Sequence, residues 1–414
     1  MSRLPQRALL CLLLASLQGC GARTGLGLPE PNPEPDSLIC IELPPEGSQL
    51  LVPLATEAQL ERIDVFMLMD VTGSMGEELA EIADRLRTDI APAIYTTIPD
   101  TQFGIGTFAD FPMTPYGESG DSPYELRLPM TGDLVATQNV LDSLSANGGG
   151  DNHETQVEAL YQVATGEGLG EYIEPRAGCL SGGAGGPCFR RDAQSTIMLF
   201  TDAPFHGGPS SRRTGAGDYF AGTLAPEPHS YTDAMNALIE QRIRVIGLWS
   251  GGDGPVADLE MTVADSGGVG ADGEPIVFDI GSRGQNLGTG TIDALREFAG
   301  GLVYDVDVEV SDPVISDGVD TVALIERVKP VRADPMGGIA GIDLATDTFL
   351  GVVAGTTLIF EVAVVNNGLR PGPEPQRYRV LLTFRGDGSI YLGVREVELV
   401  VPALDGRGCE MPMQ

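Results

Sequence analysis

The stretch of the chain that best predicts its fold reads Ile63-Asp64-Val65-Phe66-Met67-Leu68-Met69-Asp70-Val71-Thr72-Gly73-Ser74. Its first part is almost wholly apolar, which is typical of a strand that lies inside a parallel sheet and is covered on both faces. A short polar loop follows, and apolar residues then recur at helical spacing, at Met75, Leu79, Ile82, Leu86 and Ile90. A strand, a loop and an amphipathic helix in this order predict the first unit of an α/β domain.

The same alternation of short apolar runs and amphipathic stretches continues to about residue 331. It predicts further strands at residues 103–108, 196–200, 243–249 and 302–304, and helices at residues 133–145, 154–165, 230–242, 290–299 and 319–328. We therefore predict that residues 62–331 form a doubly wound, mostly parallel sheet with helices on both faces. Ligands of such sheets bind at the carboxyl ends of the strands, so the functional residues should lie there.

The character of the sequence changes after Pro330. Apolar stretches at residues 357–365, 378–384 and 390–401 are separated by glycine and proline and predict strands. Residues 332–414 are therefore interpreted as a small β-sandwich, which residues 38–61 would complete with N-terminal strands.

Four cysteines, Cys40, Cys179, Cys188 and Cys409, fit two disulfide bonds in an exported protein. A bond between Cys179 and Cys188 would close a short glycine-rich loop. A bond between Cys40 and Cys409 would join the two ends of the mature chain and make the α/β domain an insertion in the sandwich. Zinc binding by these four is disfavoured because no CxxC or CxxH spacing occurs.

The first residues of the chain have the features of an export signal. Residues 1–19 combine two early arginines with an uncharged apolar run of about ten residues, which is too short to span a bilayer. The run ends in Leu17-Gln18-Gly19-Cys20, which resembles the lipobox of bacterial lipoproteins and implies cleavage before Cys20 and acylation of that cysteine. Ordinary secretory cleavage near the same place is the alternative. Residues 20–37, rich in proline, predict an extended tether.

We expect the lipid on Cys20 to be the only membrane anchor, which predicts an outer-membrane lipoprotein of the cell envelope that faces the periplasm or the exterior. The charge balance is strongly acidic, with 25 Lys plus Arg against 59 Asp plus Glu. Nucleic acid is therefore excluded as the expected partner. Such a surface attracts cations and basic proteins, although net charge of this kind also simply keeps proteins soluble.

Oxygen-bearing side chains stand where the carboxyl edge of the predicted sheet should be. Asp70, Thr72 and Ser74 alternate in the loop after the first strand, Glu154 stands at a helix start, and Asp202 directly follows a strand. A hard cation such as Mg²⁺ needs about six oxygen ligands in octahedral array. Taken alone, the Asp-x-Thr-x-Ser loop is a weak signal, because similar loops usually cap a helix.

The loop and its surroundings resemble a known family. Phe66 to Met75 looks like the metal-ion-dependent adhesion site of von Willebrand factor A domains. Four further stretches resemble the integrin β I-like version in the right order, namely residues 74–78, 103–115, 150–154 and 199–203. The resemblance covers residues 62 to about 331.

The resemblance implies three cation sites. Mg²⁺ is expected at a central site held by Asp70, Thr72, Ser74, Glu154 and Asp202, with one position open. Asp110 and Asp151 would serve a neighbouring ion, and Glu77 and Glu78 a second flanking ion, with Ca²⁺ as the candidate at both. The sequence departs from the family pattern at several places, with Thr72 for serine, two glutamates for aspartates, Gly149 for asparagine and His153 for proline.

The function implied is adhesion or ligand binding, in which the acidic group of a protein partner completes the central cation's shell. We expect no enzymatic activity, because no nucleophile motif occurs. A metal-assisted hydrolase acting near Glu154 or His153 is one alternative, and a structural envelope protein with a stabilising metal is another. The three histidines, His153, His206 and His229, are interpreted as hydrogen-bond partners rather than as zinc ligands.

Overall fold

A computed structural model describes residues 39–179, 182–215, 217–251, 256–314 and 318–409. The predicted signal peptide, Cys20 and the Pro-rich tether lie outside the described residues. Within these ranges, no helix combines the length and the apolar character needed to cross a bilayer.

The chain starts with two strands that belong to the sandwich, β1 (Ile39–Glu42) and β2 (Gln49–Glu57). The α/β sheet follows, with strands β3 (Arg62–Asp70), β4 (Asp100–Phe108), β5 (Glu125–Thr131), β6 (Gln194–Thr201), β7 (Arg244–Trp249) and β8 (Val277–Asp279). Their order in the sheet is β5-β4-β3-β6-β7-β8. All neighbours are parallel except β5, which runs antiparallel to β4 at the edge.

Helices cover both faces of this sheet. Helix α1 (Gly76–Arg85) continues through one π-helical turn (Leu86–Ile90) into α2 (Ala91–Thr97). The later helices are α3 (Leu134–Leu141), α4 (Gln156–Thr165), α5 (Ser211–Thr214), α6 (Tyr231–Glu240), α7 (Ala257–Asp265) and α8 (Leu287–Gly301). Helices α1, α2, α3 and α8 pack on one face, and α4, α6 and α7 on the other. The predicted fold class is confirmed. Strands β5 and β8 and helices α5 and α7 are additions to the predicted elements.

Strand β3 lies at the centre of the sheet, and this explains its apolar sequence. Val65 and Met67 point into one core, whereas Phe66 and Leu68 point into the other. Because both faces are covered, the side chains on both sides of the strand are apolar. The exception is Asp64, which is buried and accepts hydrogen bonds from Arg190 N at 2.6 Å and Arg190 Nε at 2.7 Å.

The topology of the sheet selects one place for a ligand. Strand β3 pairs with β4 on one side and with β6 on the other, so the chain changes direction across the sheet between β3 and β6. Open α/β sheets bind ligands at such a switch point, outside the carboxyl ends of the strands. Asp70 ends β3 and Thr201 ends β6.

The remaining strands build the sandwich. They are β9 (Val303–Ser311), β10 (Ile325–Asp334), β11 (Gly341–Asp343), β12 (Thr348–Val353), β13 (Thr357–Val365), β14 (Gln376–Gly386) and β15 (Ile390–Val401). One sheet has the order β1-β15-β14-β9-β12-β11 and the other β10-β13-β2. Phe360 of β13 contacts Phe349 and Phe384 of the opposite sheet, with ring centroids 5.0 and 5.5 Å apart.

Both proposed disulfide bonds are present, between Cys40 and Cys409 and between Cys179 and Cys188. Since β1 and β2 share sheets with β13 and β15, the α/β domain is inserted between β2 and β9 of the sandwich. The expectation that the N-terminal segment joins the sandwich is therefore confirmed.

The predicted helix at residues 319–328 is wrong. The segment holds a short 3-10 turn (Val322–Leu324) and then β10, which pairs with β13. A register shift between Ile325 and Arg327 disturbs the two-residue alternation, so the buried residues Ile325 and Val328 stand three apart and imitate a helical stripe. Pro330 is tolerated in β10 because this strand lies at the edge of its sheet.

The predicted strand at residues 302–304 is the start of β9 and belongs to the sandwich, not to the α/β sheet. Acidic residues at 305, 307 and 309 alternate with valines at 306, 308 and 310, as in an antiparallel strand with one face toward solvent. Sheet membership therefore divides the chain near Leu302 rather than near residue 331.

Candidate metal centre

Asp70 is the buried centre of the loop that ends β3. Its Oδ1 accepts hydrogen bonds from Thr72 N at 3.0 Å and from Thr72 Oγ1 at 2.6 Å. Its Oδ2 accepts one from Thr201 Oγ1 at 2.9 Å. Both carboxylate oxygens are thus fixed in direction, one by the loop after β3 and the other by the end of β6.

The two hydroxyl groups of the loop lie side by side. Thr72 Oγ1 is 3.4 Å from Ser74 Oγ. Adjacent ligand oxygens in an octahedral Mg²⁺ site are about 3 Å apart, so this spacing fits two ligands of one cation. The loop is held by its neighbours, since Val71 N donates to Phe108 O at 2.9 Å and Gly73 N donates to Gly148 O at 3.3 Å.

Glu154 approaches the same point from the segment that precedes α4. Its backbone is fixed to the loop after β6, because Glu154 N donates to Pro204 O at 3.0 Å and Glu154 O accepts from His206 N at 2.8 Å. The side chain is only 4% exposed, and its Oε2 has no hydrogen-bond partner among the described residues. An orphaned buried carboxylate oxygen is costly unless a cation or a donor reaches it.

Gly149 brings Glu154 and Thr72 close together. A Cβ at this position would lie 3.3 Å from both Glu154 Oε1 and Thr72 Cβ, and the φ angle of +80° is one that side-chain-bearing residues rarely adopt. Asp121 fixes this loop, since its Oδ2 accepts from Gly149 N at 3.0 Å. Glycine here lets the backbone pass between two of the expected ligands.

The pKa values of the two buried carboxyl groups at the site are raised, which favours binding of a positive charge. Burial, with the charge of Asp70 adding to it, raises the pKa of Glu154 to about 11. Burial also raises the pKa of Asp70 to about 7, although the hydrogen bonds from Thr72 oppose the change. Two neighbouring buried carboxyl groups thus resist ionisation together. A divalent cation would remove this penalty, and the carboxylate and hydroxyl donors are the hard ligands that Mg²⁺ and Ca²⁺ accept.

Asp202 lies at the rim of the site, directly after β6, and is half-buried. Its negative charge helps to raise the pKa of Asp70 and that of Glu78. The charge of Asp202 therefore acts on the buried carboxyl group at the centre of the site.

Glu77 and Glu78 face different surroundings. The side chain of Glu77 is 68% exposed and pairs with Arg283 at 3.2 Å. Glu78 is buried, its Oε2 has no hydrogen-bond partner among the described residues, and burial raises its pKa. Glu77 thus faces solvent and pairs with Arg283, whereas Glu78 is buried and its pKa is raised further by the charge of Asp202.

Asp110 and Asp151, expected to share a neighbouring ion, are brought together, and His206 joins them. His206 Nε2 lies 3.2 Å from Asp110 Oδ2 and 3.2 Å from Asp151 Oδ1. The three ligand atoms all lie within 4.8 Å of one another. A possible metal-binding group is therefore present beside the central site.

The sequence analysis assigned no role to Thr201 or Asp121, and it gave His206 only a general role as a hydrogen-bond partner. In the structure Thr201 orients Asp70, Asp121 orients Gly149, and His206 contacts both Asp110 and Asp151. Thr201 had a local signal, because it directly follows the predicted strand at residues 196–200 and precedes Asp202. Asp121 had none, since an aspartate in a loop of glycine and serine is read simply as a turn residue.

Residues 58–169 match the family model of the integrin beta chain VWA domain. No curated protein sequence matches the chain. Among solved structures, the chain is similar to a von Willebrand factor type A protein from Catenulispora acidiphila, with 15% identity and a TM-score of 0.37 over 88% of this chain and 72% of that one.

It is also similar to proximal thread matrix protein 1 from the mussel byssus, with 12% identity and a TM-score of 0.34, over 61% of this chain and about half (51%) of that protein's length. The range matched by the family model includes the Asp70 loop, Asp110, Asp151 and Glu154. Residues 58–169 are thus similar to the VWA domain of integrin beta chains.

Proposed function

We propose that this protein is a cell-envelope binding protein whose A domain uses a bound Mg²⁺ ion to hold an acidic group of a protein partner. One observation carries the proposal. Around the buried Asp70, two hydroxyl oxygens lie 3.4 Å apart, and an orphaned carboxylate oxygen of Glu154 is buried nearby.

In this proposal the residues of the site fall into three roles. Thr72, Ser74 and Glu154 bind the cation directly, whereas Asp70 and Asp202 act directly or through water. Thr201 is a positioning residue, because its hydroxyl donates to Asp70 and it is not one of the proposed cation ligands. Bound Mg²⁺ supplies a positive charge and an exchangeable coordination position for a carboxylate.

The charge of the chain makes the cation necessary for recognition. With 59 acidic against 25 basic residues, the protein repels an acidic partner until the cation reverses the charge locally. We infer that the partner presents its acidic group on a surface that is otherwise neutral or basic. Binding of this kind involves no chemical reaction.

The lipid anchor is a second part of the proposal. The motif at Leu17 to Cys20 supports acylation of Cys20, and the prolines between residues 29 and 35 support an extended spacer. The A domain would then stand away from the outer membrane, where it meets partners in the envelope or outside it.

The proposal is tested with the immobilised full-length chain and an envelope extract in Mg²⁺. A protein that binds in Mg²⁺ should elute in chelator. It should also bind the Thr72→Ser variant, which keeps the hydroxyl, but not Thr72→Val, which loses it at nearly equal volume. Retention in chelator, or equal binding by Thr72→Val, would contradict the proposed mode of recognition.

A further inference from the structure

The group of Asp110, Asp151 and His206 beside the central site is here called the His206 cluster. His206 is buried, and its Nε2 faces the carboxyl oxygens of Asp110 and Asp151 at 3.2 Å each. Asp110 is buried, and its Oδ2 meets the hydrogen-bond geometry of no donor among the described residues. This buried carboxylate oxygen therefore faces the cluster, with His206 Nε2 as its near neighbour but without a hydrogen bond of good geometry.

The other ring nitrogen of His206 is already committed. His206 Nδ1 lies 2.6 Å from Gly217 O. A carbonyl oxygen only accepts hydrogen bonds, so Nδ1 carries the proton and donates it. Metal-binding histidines use this arrangement, in which a hydrogen bond from one nitrogen to a backbone carbonyl directs the lone pair of the other toward the metal.

The surroundings hold the ring and one carboxylate rigidly. Tyr219 stacks on His206 with centroids 4.3 Å apart, and Tyr116 meets the ring edge-on at 5.4 Å. Asp110 Oδ1 accepts from Phe111 N at 2.6 Å and from the Tyr219 hydroxyl at 3.4 Å. Since Oδ1 is occupied, Oδ2 remains the oxygen that faces Nε2.

We infer that Asp110, Asp151 and His206 form a mixed nitrogen and oxygen site for a divalent transition metal of the zinc class. Imidazole together with carboxylates suits Zn²⁺, whereas Ca²⁺ takes six to eight oxygen ligands. The site differs from the all-oxygen flanking site implied by the integrin resemblance, because Gly149 has no side-chain oxygen and His206 adds a nitrogen.

The inference stands independently of any partner of the A domain, because its argument uses only the geometry around Asp110, Asp151 and His206.

The test measures zinc bound by the full-length chain after chelator treatment. Dialysis against micromolar Zn²⁺ with excess Mg²⁺, which fills sites for hard ions, should leave one zinc ion per chain. The variants His206→Phe, which keeps the ring stack, and Asp151→Asn, at a partly exposed position, should each lose at least about tenfold in zinc affinity. The matched control is His229→Gln, because His229 pairs with Glu158 outside the cluster, and it should bind zinc as the wild type does.

A spectroscopic measurement separates a metal site from a simple ion pair. Co²⁺ in place of Zn²⁺ should give visible absorption bands that His206→Phe lacks. If the wild type binds no zinc, or if both variants bind it as well as the wild type, the inference is wrong and His206 only bridges two carboxylates. Asp70→Ala should keep the zinc while losing Mg²⁺-dependent partner binding, so that failure of this inference and failure of the proposed function are distinguishable.

Discussion

Thr201 Oγ1 donates a 2.9 Å hydrogen bond to Asp70 Oδ2 and so links the ends of β6 and β3. The same hydroxyl accepts hydrogen bonds from Gln156 Nε2 at 2.9 Å and from Ala203 N at 3.2 Å. These two donors leave the hydroxyl proton directed at Asp70. The carboxylate is therefore oriented by a buried network and not by the loop alone.

Replacing Thr201 by valine should weaken Mg²⁺ binding by about tenfold, because loss of one hydrogen bond to a carboxylate costs about 1.5 kcal/mol or more. Titration calorimetry on the chelator-stripped protein measures the effect. Thr201→Ser, which keeps the hydroxyl, is the control and should bind nearly as the wild type. Equal affinity of the valine variant would show that Asp70 needs no orientation from β6.

The stability of the metal-free protein should fall as pH rises. The folded-state pKa of Asp70 is about 7 and that of Glu154 about 11, both above the ordinary carboxyl values of 3.8 and 4.5. The native state therefore binds more protons than the unfolded state between those limits, so each unit of pH above about 4 removes stability. For Asp70 the loss is on the order of 4 kcal/mol and is complete above pH 7.

Thermal unfolding in chelator at about pH 5 and about pH 8 checks this sign, and the melting temperature should be lower at pH 8. Saturating Mg²⁺ should remove most of the difference, because the cation stabilises the ionised carboxylates. Asp70→Asn should reduce the slope below pH 7. A metal-free protein that is more stable at pH 8 would contradict the electrostatic description of the site.

Arg190 should matter for stability and not for the metal. Its guanidinium and backbone N–H satisfy the buried Asp64, so Arg190→Ala leaves a buried carboxylate with one side unpaired. We expect a loss of about 3 kcal/mol in the free energy of unfolding. Arg127→Ala removes an exposed pair with Glu125 and should cost about 1 kcal/mol or less. Denaturant unfolding compares the two variants, and equal effects would refute the assigned role of Arg190.

Lipidation of Cys20 predicts fractionation behaviour. The full-length protein, expressed in a bacterium, should incorporate labelled fatty acid and partition with membranes, because several acyl chains give stable anchoring. Cys20→Ala should remain unlabelled and be released into soluble fractions. Labelling of that variant would place the acyl chains elsewhere, and an unlabelled wild type would favour ordinary secretory cleavage.

The parts of the fold that the sequence predicts well have strong local signals. Strand β3 is buried on both faces, and the predicted strands at 357–365 and 390–401 coincide with β13 and β15. The Asp70 loop is similarly local, since Asp70, Thr72 and Ser74 follow one another in the chain. The sequence pattern therefore correctly predicts a candidate site at the carboxyl ends of the strands, where Asp70 ends β3.

Contacts between distant segments are what the sequence does not reveal. His206 meets Asp110 and Asp151 only because the loop after β6 packs against the loops after β4 and before α4. The register shift in β10 likewise results from pairing with β13, which local periodicity cannot show. Such features depend on tertiary packing that overrides the local pattern.

The central claim is that the Asp70 loop holds a divalent cation with a position open to a carboxylate. Mn²⁺ can replace Mg²⁺ as a paramagnetic probe, and water-proton relaxation then reports water molecules bound to the metal. In the wild type, relaxation enhancement should appear on Mn²⁺ binding and fall when a short aspartate-containing peptide is added. In Asp70→Ala this peptide-sensitive part should be missing. An equal response of Asp70→Ala to the peptide, or no response of the wild type, would contradict the claim.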